Sequence, residues 1–155
     1  MTASIKIIQF LKDQKIPFES FSHAEAFTAQ EVAEAQHVPG RDLVKTVVVK
    51  TGTKFALAVV SAVQQVDLKR LSDVIGAPTI LAEEKELFEL FPGCELGAMP
   101  PLGNLYGISV YVDSSLKLDK YIFFNAGTHV DTIKMQYSDF EKTVNPKVAE
   151  IGKRV

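Results

Sequence analysis

Two apolar runs joined by a glycine turn constrain this chain more than any other feature of it. Residues 42–50 are rich in β-branched side chains (Val44, Thr46, Val47, Val48, Val49), and residues 55–60 run from Phe55 to Val60 without a polar interruption. Thr51, Gly52 and Thr53 lie between them, so the spacing predicts two strands in a tight hairpin. Both runs are apolar on both faces, the pattern of strands inside a covered sheet. Lys45 breaks the pattern. At the two-residue strand period it shares a face with Leu43, Val47 and Val49. An ammonium among such neighbours reaches for water, pairs with an acid, or lines a cleft. Two readings stay open from this stretch alone: an edge-strand charge that discourages unwanted pairing, or a functional cation.

Around the hairpin the chain alternates short helices and strands. Residues 4–14 place Ile5, Ile7, Ile8 and Leu11 on one side, predicting an amphipathic helix with Ser4 as its N-cap. Pro17 marks the start of a strand that runs from Phe18 to His23. Thr28 and Glu31 form a capping box for a helix reaching about Gln36, which Val38, Pro39 and Gly40 end. Asp67 and Gly76 cap another helix. A short strand is expected at residues 78–81, and a helix at 83–91 with acids in its first turn. Strands are expected at 108–113, 121–124 and 130–135. Ser138 and Glu141 form a last capping box, for a helix that precedes Pro146. About six or seven strands, helices at both ends and no regular βαβ alternation predict one α+β domain with a single curled sheet against helices.

Bulk properties exclude several classes. A chain of 155 residues, 46% hydrophobic and 23% charged, is ordinary for a soluble globular domain. A formal charge of −2 argues against broad binding to a nucleic-acid backbone, but not against contact with a short nucleic-acid end. One cysteine, Cys94, forbids an internal disulfide and suits a reducing cytoplasm. Three scattered histidines offer no metal-ligand spacing. No apolar run is long enough to span a bilayer, and no leader is visible, so the expected location is cytoplasmic, with no membrane partner.

Chemistry has few places to reside. Residues 92–104 are crowded with glycine and proline. There the segment from Gly97 to Pro101 can present backbone N–H groups at close range because Gly97 has no side chain, while Pro100 and Pro101 stiffen it and remove two competing donors. Such a loop can hold a carbonyl oxygen or a ribose hydroxyl; an ordinary surface loop is the competing reading. Asn125, Ala126, Gly127, Thr128 and His129 form a second glycine turn, with His129 able to donate to a substrate oxygen. No nucleophile elbow, P-loop or paired carboxylates stand out. An activated ester, such as the aminoacyl bond on a tRNA, asks for little beyond a placed water, one cation and fixed dipoles.

Three stretches in order carry a resemblance: Lys45 with Thr46 to Val49, residues 96–103 around Gly97 and Pro101, and residues 124–129 around Gly127. Together they resemble the YbaK family of aminoacyl-tRNA deacylases, related to the editing domain inserted in bacterial prolyl-tRNA synthetase. The resemblance covers nearly the whole chain. It implies a mixed, barrel-like β-sheet with flanking helices, and hydrolysis of mischarged tRNA in trans without a metal or other cofactor. The family's essential lysine falls on Lys45, with Thr46 beside it. Its Gly-x-x-x-Pro loop falls on Gly97, Ala98, Met99, Pro100 and Pro101, and its later turn on Gly127, Thr128 and His129. The implied partners are a tRNA acceptor end carrying Ala, Ser, Thr or Cys and an aminoacyl-tRNA synthetase. Cysteine-editing members commonly carry a second glycine and a basic pair where Ala98, Pro100, Thr128 and His129 stand here, a departure that speaks against cysteine and leaves alanine, serine or threonine open. Two rivals remain: a module that binds aminoacyl-tRNA or a nucleotide without hydrolysing it, and a purely structural protein.

Overall fold

The computed structural model describes residues 3–22 and 42–154. His23 and the helix expected after Thr28, with its Val38, Pro39 and Gly40 stop, lie outside the described residues. The predicted hairpin is present. Strands β2 (Val44–Thr51) and β3 (Lys54–Ser61) pair antiparallel from Val44↔Ser61 to Thr51↔Lys54, leaving Gly52 and Thr53 as the turn. These two strands form the middle of a five-stranded mixed sheet. β5 (Ile80–Leu81) lies outside β2, while β6 (Ser109–Asp113) and then β9 (Lys147–Ala149) continue in parallel beyond β3.

A second sheet has the order β1 (Phe18–Ser22), β8 (Asp131–Gln136), β7 (Tyr121–Asn125), all antiparallel. A small third one pairs β4 (Gln64–Val66) with β10 (Gly152–Arg154). Four α-helices among the described residues flank them: α1 (Ala3–Asp13), α2 (Leu68–Ile75), α3 (Glu84–Leu90) and α4 (Tyr137–Val144). The α+β class is as expected, but the described strands number ten in three sheets and close no barrel. The extra strands β4, β9 and β10 are three residues each, too short to leave a period in the sequence.

Strand alternation explains the two-sided apolar pattern. Val44, Val48, Leu57 and Val59 face the main core, with Ile7 and Leu11 of α1, Phe91, Leu102, Phe124 and Phe140. Val49, Ala58 and Val60 face a smaller cluster roofed by Leu71 of α2 and Ile151. Helix α2 begins and ends as read. The Asp67 carboxylate accepts from the N–H groups of Lys69 and Arg70, at 3.1 and 3.2 Å, and Gly76 closes it. Two caps differ from expectation. Helix α1 starts at Ala3, so Ser4 lies inside its first turn. Strand β8 runs straight into α4, where Gln136 is the N-cap and the Tyr137 N–H donates to the Lys120 carbonyl at 3.0 Å, leaving Ser138 inside the helix.

Asp113 pins the C-terminal segment to the sheet. Its buried carboxylate accepts from the N–H groups of Ile151 and Gly152, at 2.9 and 2.8 Å, and from Gln64 and Ser115. Burial alone would push its pKa up, but these donors outweigh that and hold the carboxyl below its ordinary range.

Candidate functional site

Lys45 lies on β2, which is an interior strand of its sheet. The outer edge of β2 meets β5 at Val49 and Lys50, and Leu43 just before β2 bridges in parallel to Phe123 of β7. Between these junctions, among the described residues, no strand pairs with the outer edge of β2 at Lys45 to Val47. Lys45 lies in this stretch of β2, which among the described residues has no strand partner on that side. The side chain is partly buried, and no carboxylate among the described residues pairs with it. Burial lowers its pKa from the ordinary lysine value. The ammonium is thus partly desolvated with no counter-ion among the described residues, a state that costs stability.

The parallel bridge ties the segment before Lys45 to β7. Leu43 stands two residues before Lys45, and Phe123 two before Asn125, the last residue of β7, which leads directly into the Gly127 turn.

The two glycine loops are stitched together. The Gly127 N–H donates to the Ala98 carbonyl at 2.9 Å, and the Glu95 N–H donates to the Gly127 carbonyl at 2.8 Å. The Glu95 carboxylate then accepts from the His129 N–H at 2.7 Å, and the His129 ring shares a 2.6 Å hydrogen bond, Nε2 to the Leu96 carbonyl. Four hydrogen bonds across 30 or so residues of sequence make one rigid wall from two loops. Gly97 and Gly127, at φ of 82° and 88°, occupy left-handed backbone that a side chain would strain. Ala98, Met99, Pro100 and Pro101 are buried, so this is no ordinary surface loop; its exposed tip is Gly97. Among the described residues the N–H groups of Gly97, Met99 and Thr128 meet no hydrogen-bond acceptor.

The remaining expected residues divide by role. His129 is buried, and its Nε2 is engaged with Leu96, so it braces the wall rather than offering that nitrogen to a substrate. The Thr128 hydroxyl donates to Asp131 at 2.7 Å and accepts the Asp131 N–H, which closes the turn. Thr46 alternates to the face of Val44 and Val48, opposite Lys45. Cys94 is buried with its thiol beside the Tyr106 hydroxyl, and burial raises its pKa, so it is no thiolate nucleophile. Glu95 and Asp131 were not singled out by sequence. Each lies close in sequence to a glycine, yet only the fold gives its carboxylate a turn to hold. Three surface clefts among the described residues, of about 220, 420 and 580 Å³, are lined by none of these residues. No group of three or more His, Cys, Asp or Glu among the described residues is placed to hold a metal.

Comparison with known proteins identifies the family. The aminoacyl-tRNA editing domain matches residues 23–143. The chain is 24% identical over 150 residues to the prolyl-tRNA editing protein ProX of Acetoanaerobium sticklandii, spanning 93% of this chain and 92% of that one. It is 27% identical over 150 residues to the multifunctional Ser/Thr-tRNA deacylase ProXp-y of Escherichia coli K12, spanning 92% and 89%. The crystal structure of a candidate trans-editing enzyme for prolyl tRNA synthetase superposes with a TM-score of 0.87 at 21% identity, over 99% of this chain and 98% of that one. No described helix is long and apolar enough to cross a membrane. The chain belongs to the aminoacyl-tRNA editing domain family of aminoacyl-tRNA hydrolases.

Proposed function

We propose that this protein hydrolyses the ester of tRNA mischarged with a small amino acid, acting in trans, and that Lys45 is its catalytic cation. One observation carries the reading: a partly buried ammonium with no carboxylate partner among the described residues, on a strand bridged to β7, which leads into a glycine turn hydrogen-bonded to a second glycine loop. The ester needs only modest help. Water attacks the carbonyl carbon, and negative charge gathers on the carbonyl oxygen, where the Lys45 ammonium stabilises it. The N–H groups of Gly97 and Met99 hold the aminoacyl group from the loop side, and the terminal ribose hydroxyl orients the water. Collapse of the tetrahedral species expels the ribose oxygen, which takes up a proton.

Among amino acids we favour alanine, serine or threonine over cysteine. The residues expected of cysteine-editing members are replaced by Ala98, Pro100, Thr128 and His129, and the Escherichia coli relative is named for Ser and Thr. A prolyl-tRNA synthetase is the proposed partner, since an acidic chain of charge −2 gains RNA affinity from a bound synthetase. The proposed location is the cytoplasm. The deciding assay incubates the protein with Ala-, Ser-, Thr-, Cys- and Pro-tRNA and follows loss of the amino acid. Turnover of Ala-, Ser- or Thr-tRNA that falls about 100-fold or more in Lys45→Ala supports the proposal. Saturable binding without release of amino acid, or an unchanged rate in Lys45→Ala, overturns it.

A further inference from the structure

We propose that Asn125 is the residue that receives the α-amino group of the aminoacyl substrate, an inference that rests on the deacylase reading of the Lys45 site. Three observations converge on it. First, carrying the parallel register of the Leu43↔Phe123 bridge on by two residues would set Asn125 beside Lys45, and because bridged residues share a face, the two side chains would then project to one side. Ile122 and Phe124, the alternate residues of β7, enter the main core instead, which leaves Phe123 and Asn125 on the Lys45 side. Second, the side-chain oxygen of Asn125 is buried without a hydrogen-bond partner. A buried acceptor with no donor is an expense that native proteins rarely keep without a use. Third, Asn125 is the last residue before the Gly127 turn that is tied to the Ala98 loop, so a group held there sits between cation and loop.

The chemistry selects the ligand. What is missing at Asn125 is a donor, and an aminoacyl ester carries one strong donor set near its carbonyl, the α-amino group. A carboxylate at this position would also accept, but it would pair with the neighbouring Lys45 and quench the charge the ester needs. A neutral carboxamide accepts from the amino group and leaves the lysine free. It also gives the enzyme a way to tell a free aminoacyl-tRNA from one whose nitrogen is already acylated.

The test uses two hydrolysis-resistant probes, 3′-deoxy-3′-(seryl-amino)adenosine and its N-acetyl derivative, titrated calorimetrically into the wild type, Asn125→Leu and Asn125→Ala. Leu matches the shape of Asn and removes the orphaned acceptor, so Asn125→Leu is expected to unfold no earlier than the wild type; Ala provides a second variant if Leu perturbs the site. The wild type is expected to bind the free-amine probe more tightly. In both variants that preference is lost, with affinity for the free-amine probe falling about tenfold or more, as for a hydrogen bond to a charged group, and affinity for the N-acetyl probe unchanged. Equal weakening of both probes, no weakening of either, or a wild type that binds neither overturns the assignment. Because binding is read without turnover, a wild type that discriminates the probes yet releases no amino acid from tRNA refutes the deacylase reading and leaves the Asn125 assignment standing.

Discussion

At the scale of single residues, Lys45 sets function against stability. Burial lowers its pKa, so the unfolded chain binds that proton more tightly than the folded one. The resulting penalty is present in full below the folded-state pKa and is relieved as pH rises through it towards the ordinary lysine value. Lys45→Met is therefore expected to melt no lower than the wild type at pH 7, by thermal denaturation, while losing deacylation. The same direction separates two mechanisms. If the protonated lysine is the working form, the rate falls as pH rises through its lowered pKa; a lysine acting as base gives a rate that rises there. A pH–rate profile for the wild type is expected to show the fall.

At the scale of elements, the unit is the pair of stitched loops, because each loop is braced by the other as well as by its own turn bonds. His129→Ala removes the Nε2 bond to Leu96 and opens a gap behind the turn. It is expected to cost about 1–3 kcal/mol in urea unfolding and to raise KM more than it lowers kcat. Gly127→Ala forces a side chain into left-handed backbone at φ 88°, costing about 1–2 kcal/mol and shifting the N–H that reaches Ala98. Its effect on kcat/KM is expected to exceed that of a surface substitution such as Lys85→Ala, measured side by side.

At the scale of the whole molecule, Asp113 joins the C-terminal segment to β6 and β4 and so closes the smaller cluster beneath α2. Asp113→Ala leaves two buried N–H groups without acceptors and is expected to cost about 3 kcal/mol or more by urea denaturation at pH 7. Its carboxyl is held low, so this stability is complete above the ordinary aspartate range and disappears as pH falls through the lowered value; Asp113→Asn is expected to flatten that acid limb. Much of this architecture is legible in local patterns. The hairpin follows from β-branched runs around Gly52, and the bounds of α2 from Asp67 and Gly76, because turns and caps are made by neighbours in sequence. Strands β4, β9 and β10 are not legible, since three residues carry no period and their pairing partners lie tens of residues away. Lys45 and the two glycine loops stand out as residues at odds with their surroundings. Their neighbourhood does not, because the bridge from Leu43 to Phe123 and the bonds of Glu95 and Ala98 to Gly127 join segments that no local rule connects. By itself, then, the amino-acid order determined which residues are exceptional: a charge in an apolar strand and glycines in stiff loops. Only the tertiary structure decided that the two glycine loops are neighbours, and that β7, which leads into one of them, is bridged just before Lys45, because sheet register is set by burial summed over the whole core.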